Sequence, residues 1–309
     1  MSPFRRPAPP GSEAHFRNGP VRLAGTYLEP PGTRAGALVL AGSGRADRNS
    51  DLGRLRTGVT AALAGVLALS GVATLRYDKR GTGNSEGEYF DAGMTDNAGD
   101  AWAARDWLAA RLPGLPLLAV GYSEGALYAA DLAAEASVAA CALYCCPARP
   151  VEQVLDWQVE RLAGALPRRA RAVMRLTGNS PARIHAQRMA DLRSLDEDDQ
   201  RLRGARINAL WWRQFIEHDP APILARVGVP VLALTGGMDF QVPPEDVAGI
   251  GRLVKGPFNG EVPPGLNHIL RPDPSGRGPY GYRRTARGPV SPEATAPLAQ
   301  WVAGVLAGK

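Results

Sequence analysis

Short, continuously apolar runs alternate with longer amphipathic stretches through the first half of the chain. Residues 21–28 read as a strand stopped by Pro30-Pro31-Gly32, and ALVLA (37–41) as a strand buried on both faces. Beyond the loop GSGRADRNS, residues 52–69 have helical spacing and 72–77 return to strand. Residues 97–112 carry a helical stripe, Ala101, Ala104, Trp107, Leu108 and Leu112, which Pro113-Gly114 ends. A strand over 115–120, an Ala-rich helix over 124–136 and a strand over 138–145 continue the series. Strands alternating with helices of this length predict an α/β fold, a mostly parallel central sheet flanked by helices.

The alternation stops at Pro147. From there to Asp219 no strand is predicted, and Arg-rich amphipathic helices take over at 151–165, 167–176, 182–203 and 205–217. A strand at 229–234, then 244–253 and 257–262, resume the earlier pattern, and an amphipathic helix at 290–306 closes it. The expected organisation is a core made of 17–146 and 220–309, with 147–219 inserted between core strands as a helical lid. Residues 1–16 are expected to be a flexible, Pro-rich tail.

Composition narrows the class. The 309 residues are 45% hydrophobic and 21% charged, the balance of a soluble globular protein. Cys141, Cys145 and Cys146 are too few for a disulfide framework and lack partners at zinc spacing, so no metal is expected. The net charge of +6 is nearly all arginine, since Lys79, Lys255 and Lys309 are the only lysines. The arginines are spread along the chain, many with acids close by, so no nucleic-acid partner is expected. MSPFRRPAPPGSE has no apolar core of a secretory signal. The uncharged stretch 58–75 is punctuated by Ser70-Gly71 and reads as a buried helix and strand, not a membrane span. A cytoplasmic protein without membrane contact is expected.

Two segments match G-x-S-x-G, Gly121-Tyr122-Ser123-Glu124-Gly125 and Gly83-Asn84-Ser85-Glu86-Gly87. A nucleophile on such a turn needs a strand before it and a helix after it. Ser123 follows LPLLAV and opens EGALYAADLAAE, whereas Ser85 follows a turn-rich loop and precedes GEYFDAGM. Ser123 is therefore the expected nucleophile. Its base must be one of four histidines. His15 is in the tail, His185 in the lid, and His218 beside Asp219-Pro220, where capping or packing suffices. His268 lies in PPGLNHIL, just past the last core strand, and is the expected base. Asp239 ends VPVLALTGGMD at the same sheet edge and is the expected acid. Glu245 and Asp246 compete, but they follow Pro243-Pro244 and should face away on a helix. Backbone N–H groups of Glu124 and of Ser43, in Ala41-Gly42-Ser43-Gly44, are the expected oxyanion donors.

With these residues in view, the chain resembles an α/β-hydrolase of the bacterial carboxylesterase-like branch grouped with serine aminopeptidase-like hydrolases. The resemblance rests on VRLAGTYLEPP, GSGRADRN, RYDKRGTGNSEG, GYSEG, WWRQFIEHDPAPILARVGVPVLALTGGMDFQVPPED and GLNH. It implies triad positions for Ser123, Asp239 and His268, oxyanion positions for Ser43 and Glu124, and a structural loop at 78–85. Three features depart from the family: Ala41 and Tyr122 stand where histidines are common, and 271–287 is a Gly/Pro-rich loop with five arginines and no obvious helix.

The implied activity is hydrolysis of a small-molecule ester or thioester of a small to medium acyl group, without metal or organic cofactor. An acyltransferase or cyclase using the same triad is the alternative, and a non-catalytic binding module a third. Trp211, Trp212 and Phe215 are expected to line the acyl pocket, because adjacent residues on a helix diverge and the three cannot all serve one packing face. Arg213 between them is expected to meet a substrate carboxylate or phosphate. The sequence leaves the oligomeric state open.

Overall fold

The computed structural model describes residues 11–165, 180–196 and 201–308, together with Arg169 and Met174. The first half contains β1 (Ser12–Asn18), β2 (Val21–Leu28), β3 (Ala35–Leu40), α1 (Val59–Leu69), β4 (Val72–Tyr77), α2 (Met94–Arg111), β5 (Leu117–Tyr122), α3 (Glu124–Ala134) and β6 (Ala140–Tyr144). Then come α4 (Val151–Ala165), α5 (Pro181–Arg193), the hairpin strands β7 (Arg201–Leu202) and β8 (Ala205–Arg206), and α6 (Ala209–Glu217). The chain closes with α7 (Ala221–Leu224), β9 (Val231–Leu234), α8 (Asp246–Leu253), β10 (Phe258–Glu261), α9 (Tyr282–Thr285) and α10 (Pro292–Leu306).

Eight strands form one sheet in the order β1-β2-β4-β3-β5-β6-β9-β10. Only the pairings of β1 with β2 and of β2 with β4 are antiparallel; the rest of the sheet is parallel, as expected. Every residue of β3, β4, β5, β6 and β9 is buried, which is why these strands read as continuous apolar runs. One face packs on α1 and α10 through Val59, Leu63, Leu67, Leu298 and Val302. The other packs on α2 and α3 through Ala104, Leu108, Leu127 and Leu132. Between β6 and β9, neighbours in the sheet, the chain leaves to build α4 to α6, which share a small core of Met189, Leu192 and Ile216 with Leu155 and Trp212.

Four expectations need correction. Residues 12–16, assigned to the tail, belong to edge strand β1: Ala14 and Phe16 are buried while Glu13, His15 and Arg17 are exposed, a period of two. The charged outward face hid that period. The helix expected from Leu52 starts at Val59, because the Asp51 carboxylate accepts the Gly58 N–H at 2.8 Å and holds the preceding turn open. The stretch 147–219 does contain strand: Arg203 and Gly204 take positive φ and turn β7 back on β8, while the preceding helix stops at Arg193 and the next starts at Ala209. The loop 271–287 carries a single 3-10 turn and the short α9. The helix expected at 167–176 lies outside the described residues apart from Arg169 and Met174. Stretch 58–75 divides into α1 and β4, and no helix among the described residues is long and apolar enough to cross a membrane.

Candidate active site

β5 ends at Tyr122 and α3 begins at Glu124, so Ser123 alone turns the chain, at φ 55° and ψ −122°. An L-residue is strained there, and the turn persists because its surroundings over-determine it. The Ser123 N–H donates to Tyr144 O at 2.8 Å, and Ser123 O accepts from Ala126 N at 2.9 Å. The flanking glycines are sterically required. A Cβ on Gly121 would stand 2.2 Å from Gly125 O, and one on Gly125 would stand 2.5 Å from Leu40 O. The helix thus packs directly on β3 and β5, and the serine hydroxyl is left at the sheet's C-terminal edge.

Two loops from that edge meet it. The turn after β9 presents Asp239, whose Oδ1 accepts from the N–H groups of Gln241 at 2.6 Å and Val242 at 3.0 Å. The loop after β10 presents His268. Its Nδ1 lies 2.8 Å from Asp239 Oδ2 and its Nε2 lies 3.2 Å from Ser123 Oγ. With the carboxylate accepting at Nδ1, the neutral ring carries its proton there and offers the Nε2 lone pair to the serine hydroxyl. His268 and Asp239 are both buried. The structure therefore brings together the three residues singled out by sequence.

Tyr122, a departure from the family pattern, holds the histidine from behind. Its hydroxyl donates to the His268 carbonyl at 3.1 Å, and the Cys145 thiol approaches the same oxygen at 3.5 Å. Tyr122→Phe should lower kcat about three- to tenfold with little change in KM, and cost roughly 1 kcal/mol of stability. Steady-state kinetics and urea unfolding check it; unchanged kcat would reduce Tyr122 to packing.

The loop after β3 passes beside the serine: a Cβ on Gly42 would lie 3.3 Å from Ser123 Cβ. Ser43 follows directly. Among the described residues neither the Ser43 nor the Glu124 backbone N–H has a hydrogen-bond acceptor, so both are free for a ligand oxygen.

Sequence reasoning used only the backbone of Glu124. Its side chain is fully buried and is where four separate segments converge. Lys79 Nζ lies 3.0 Å from Oε2; Oε1 accepts from the Tyr128 hydroxyl at 2.5 Å, Trp211 Nε1 at 3.0 Å and Asn97 Nδ2 at 3.4 Å. Burial first, and then the Glu124 charge, hold the Tyr128 hydroxyl well above its ordinary pKa. The available signal was a lysine in RYDKRG, in a chain that otherwise uses arginine.

The other candidates are distributed as follows. Trp211 is buried against Glu124 and stacks on Phe215, with ring centroids 4.4 Å apart. Trp212 packs into the insertion's own core, with the Arg188 guanidinium 5.6 Å above its ring. Arg213 donates to Leu195 O at 2.7 Å within the insertion, and no contact joins it to Ser123 or His268. Ser85 is a loop brace: its hydroxyl donates to Asp78 O at 2.6 Å and accepts from Ala24 N at 2.9 Å. His15 faces outward near Arg22, His185 pairs with Asp156 at 3.0 Å, and His218 caps α6, its pKa lowered by burial. Asp246 binds Ala148 N and Arg149, and Glu245 precedes α8.

Donor atoms of Cys145, Asp239 and His268 lie within 4.8 Å of one another, the arrangement among the described residues closest to a metal-ligand set. The carboxylate and imidazole are already spent on each other. Burial, and next the Asp239 charge, raise the Cys145 thiol well above its ordinary pKa, which disfavours the thiolate a cation needs. A cavity of ≈ 380 Å³ lined by Arg105, Leu112, Leu117 and Val138 lies near the start of β5, at the end of the sheet away from this site.

The sequence model of the family described as "Serine aminopeptidase, S33" matches residues 56–260, more than half of the chain. No curated protein matches the chain in sequence. Among solved structures, Est1E from Butyrivibrio proteoclasticus with ferulic acid bound is 18% identical with a TM-score of 0.64, covering 95% of this chain and 99% of its own. Proline iminopeptidase from Mycobacterium smegmatis is 16% identical with a TM-score of 0.63, covering 96% and 99%. The esterase Pf2001 from Pyrococcus furiosus is 15% identical with a TM-score of 0.56, covering 95% and 92%. At these identities the likeness is one of fold.

Proposed function

The chain belongs to the serine aminopeptidase S33 family and is an enzyme of the serine α/β-hydrolase type, and on that premise we propose that it hydrolyses a carboxylic ester or thioester of a small to medium acyl group. The observation that carries the reading is His268 bridging Asp239 at 2.8 Å and the positive-φ Ser123 at 3.2 Å. Ser123 Oγ attacks the carbonyl carbon while His268 Nε2 takes the hydroxyl proton. Asp239 holds the ring and stabilises the imidazolium that forms. The Ser43 and Glu124 amides donate to the tetrahedral oxyanion, aided by the positive N-terminal end of α3. His268 then passes its proton to the departing oxygen or sulfur, leaving Ser123 acylated. Water, deprotonated by the same ring, releases the acid.

The insertion is read as a lid. Gln158 of α4 donates to Gln241 O at 2.7 Å, beside Asp239, and Trp211 of α6 reaches Glu124, so it touches both flanks of the serine. Trp211 and Phe215 are the acyl-pocket candidates this supports.

A fluorophosphonate probe tests the reading. Mass spectrometry should find the label on Ser123, and a chain-length panel of nitrophenyl esters and matching thioesters should show turnover that persists in EDTA. Turnover with an added alcohol acceptor should still yield the free acid. Labelling elsewhere, or activity that disappears in EDTA and returns with zinc, would overturn it.

A further inference from the structure

The loop between His268 and α10 holds charge that the mechanism above does not use. Residues 269–290 contain five arginines and one aspartate, a net +4 of the chain's +6. Two of these charges are internal. Arg271 is buried and donates to Ile269 O, Gly288 O and Thr57 O, and Asp273 is buried with its Oδ1 bound to the Ser275 hydroxyl. The other four, Arg277, Arg283, Arg284 and Arg287, are exposed, and among the described residues none has a carboxylate partner. Exposed Arg56, Arg193, Arg203 and Arg226 do have carboxylate partners, in Asp51, Glu152, Asp191 and Glu135; what sets the loop apart is four exposed arginines within eleven residues and no exposed acid among them.

The loop is held in place on the machinery of the site. Asp273 N donates to Gly265 O at 3.0 Å, Asn267 Nδ2 to Thr285 Oγ1 at 3.2 Å, and Gln241 Nε2 to the Tyr282 hydroxyl at 3.2 Å. At Gly278, φ +52°, a Cβ would meet the Phe240 ring at 2.6 Å, so the backbone lies directly on the residue after Asp239. Four exposed arginines without a carboxylate partner among the described residues are thus carried on a loop that rests on the loops holding the acid and the base. Charges without acids among them act together over a Debye length of about 8–10 Å. Guanidinium groups also match phosphate oxygens in a two-pronged geometry that ammonium groups lack.

We propose that this loop guides acyl substrates with a phosphate-rich, multiply charged distal group to the Ser123 cleft. The inference rests on the hydrolase reading for its acyl chemistry and names the substrate class of that site. A single carboxylate would use one of four charges, so a polyphosphate-type group fits better. A lipid surface fits less well, because Tyr280 is the only large apolar side chain strongly exposed on the loop.

The test compares an acyl-coenzyme A with the matching neutral acyl-N-acetylcysteamine thioester, in wild type and in R283Q/R284Q/R287Q. The readout is the ratio of the two kcat/KM values. It should exceed about tenfold in wild type at low salt, and fall toward one in 0.5 M salt and in the variant. A ratio near one in wild type, or one that the variant leaves unchanged, overturns the proposal. Circular dichroism melting confirms that the variant is folded. Calorimetric titration with coenzyme A alone separates the two readings: binding that weakens at least tenfold in the variant supports the dock even if neither thioester turns over. Absence of turnover together with no serine labelling would remove the hydrolase reading. No coenzyme A binding to wild type would remove the dock.

Discussion

Ser123→Ala should lower kcat by at least about 10⁴-fold and abolish fluorophosphonate labelling, while Ser85→Ala keeps both. The two serines share the motif G-x-S-E-G, so the comparison isolates context from composition. Ser123 has a positive φ, a helix starting at the next residue and an imidazole nitrogen 3.2 Å from its hydroxyl. Ser85 has none of these. Its hydroxyl ties β2 to the loop after β4, and its loss should cost about 1–2 kcal/mol of stability with activity retained. Residual turnover in Ser123→Ala, from oxyanion stabilisation and binding alone, would still be above the rate in water. A dead Ser85→Ala with a normal melting temperature would refute the assignment.

Breaking the buried ion pair should give the largest stability change. Lys79→Met leaves the Glu124 carboxylate without its cation in a site where the acid side chain has no exposure, at a cost of about 3–5 kcal/mol. Glu124→Gln strands the ammonium group instead and should be comparably harmful. The double variant removes both charges and should recover much of the loss, because desolvation no longer has to be offset. Urea unfolding of the four proteins forms a double-mutant cycle, and the expected coupling exceeds 2 kcal/mol. Coupling below about 1 kcal/mol, the size of a surface pair, would show that the pair is solvated. Trp211 donates to the same carboxylate, so its fluorescence should shift in the single variants.

Strand and helix order, the insertion point and the Ser123–Asp239–His268 set were legible because each leaves a local trace. A buried parallel strand is an apolar run, and a strand-to-helix turn at G-x-S-x-G is visible within a dozen residues. Edge strand β1 left a weaker trace, since only Ala14 and Phe16 face inward among charged neighbours.

What no window of sequence contains is the company a side chain keeps across the fold. Lys79 is 45 positions from Glu124 and Trp211 is 87, so the buried carboxylate acquires its partners only when sheet, α2 and insertion close around it. Arg213 shows the same limit in reverse. Its spacing suited a cleft, yet a carbonyl 18 positions away takes its hydrogen bond within the insertion. The arginines after His268 were counted in the sequence, but that they have no acid partners among the described residues emerged only from packing. Local periodicity encodes which face of an element is apolar; which charge meets which depends on contacts between elements distant in the chain.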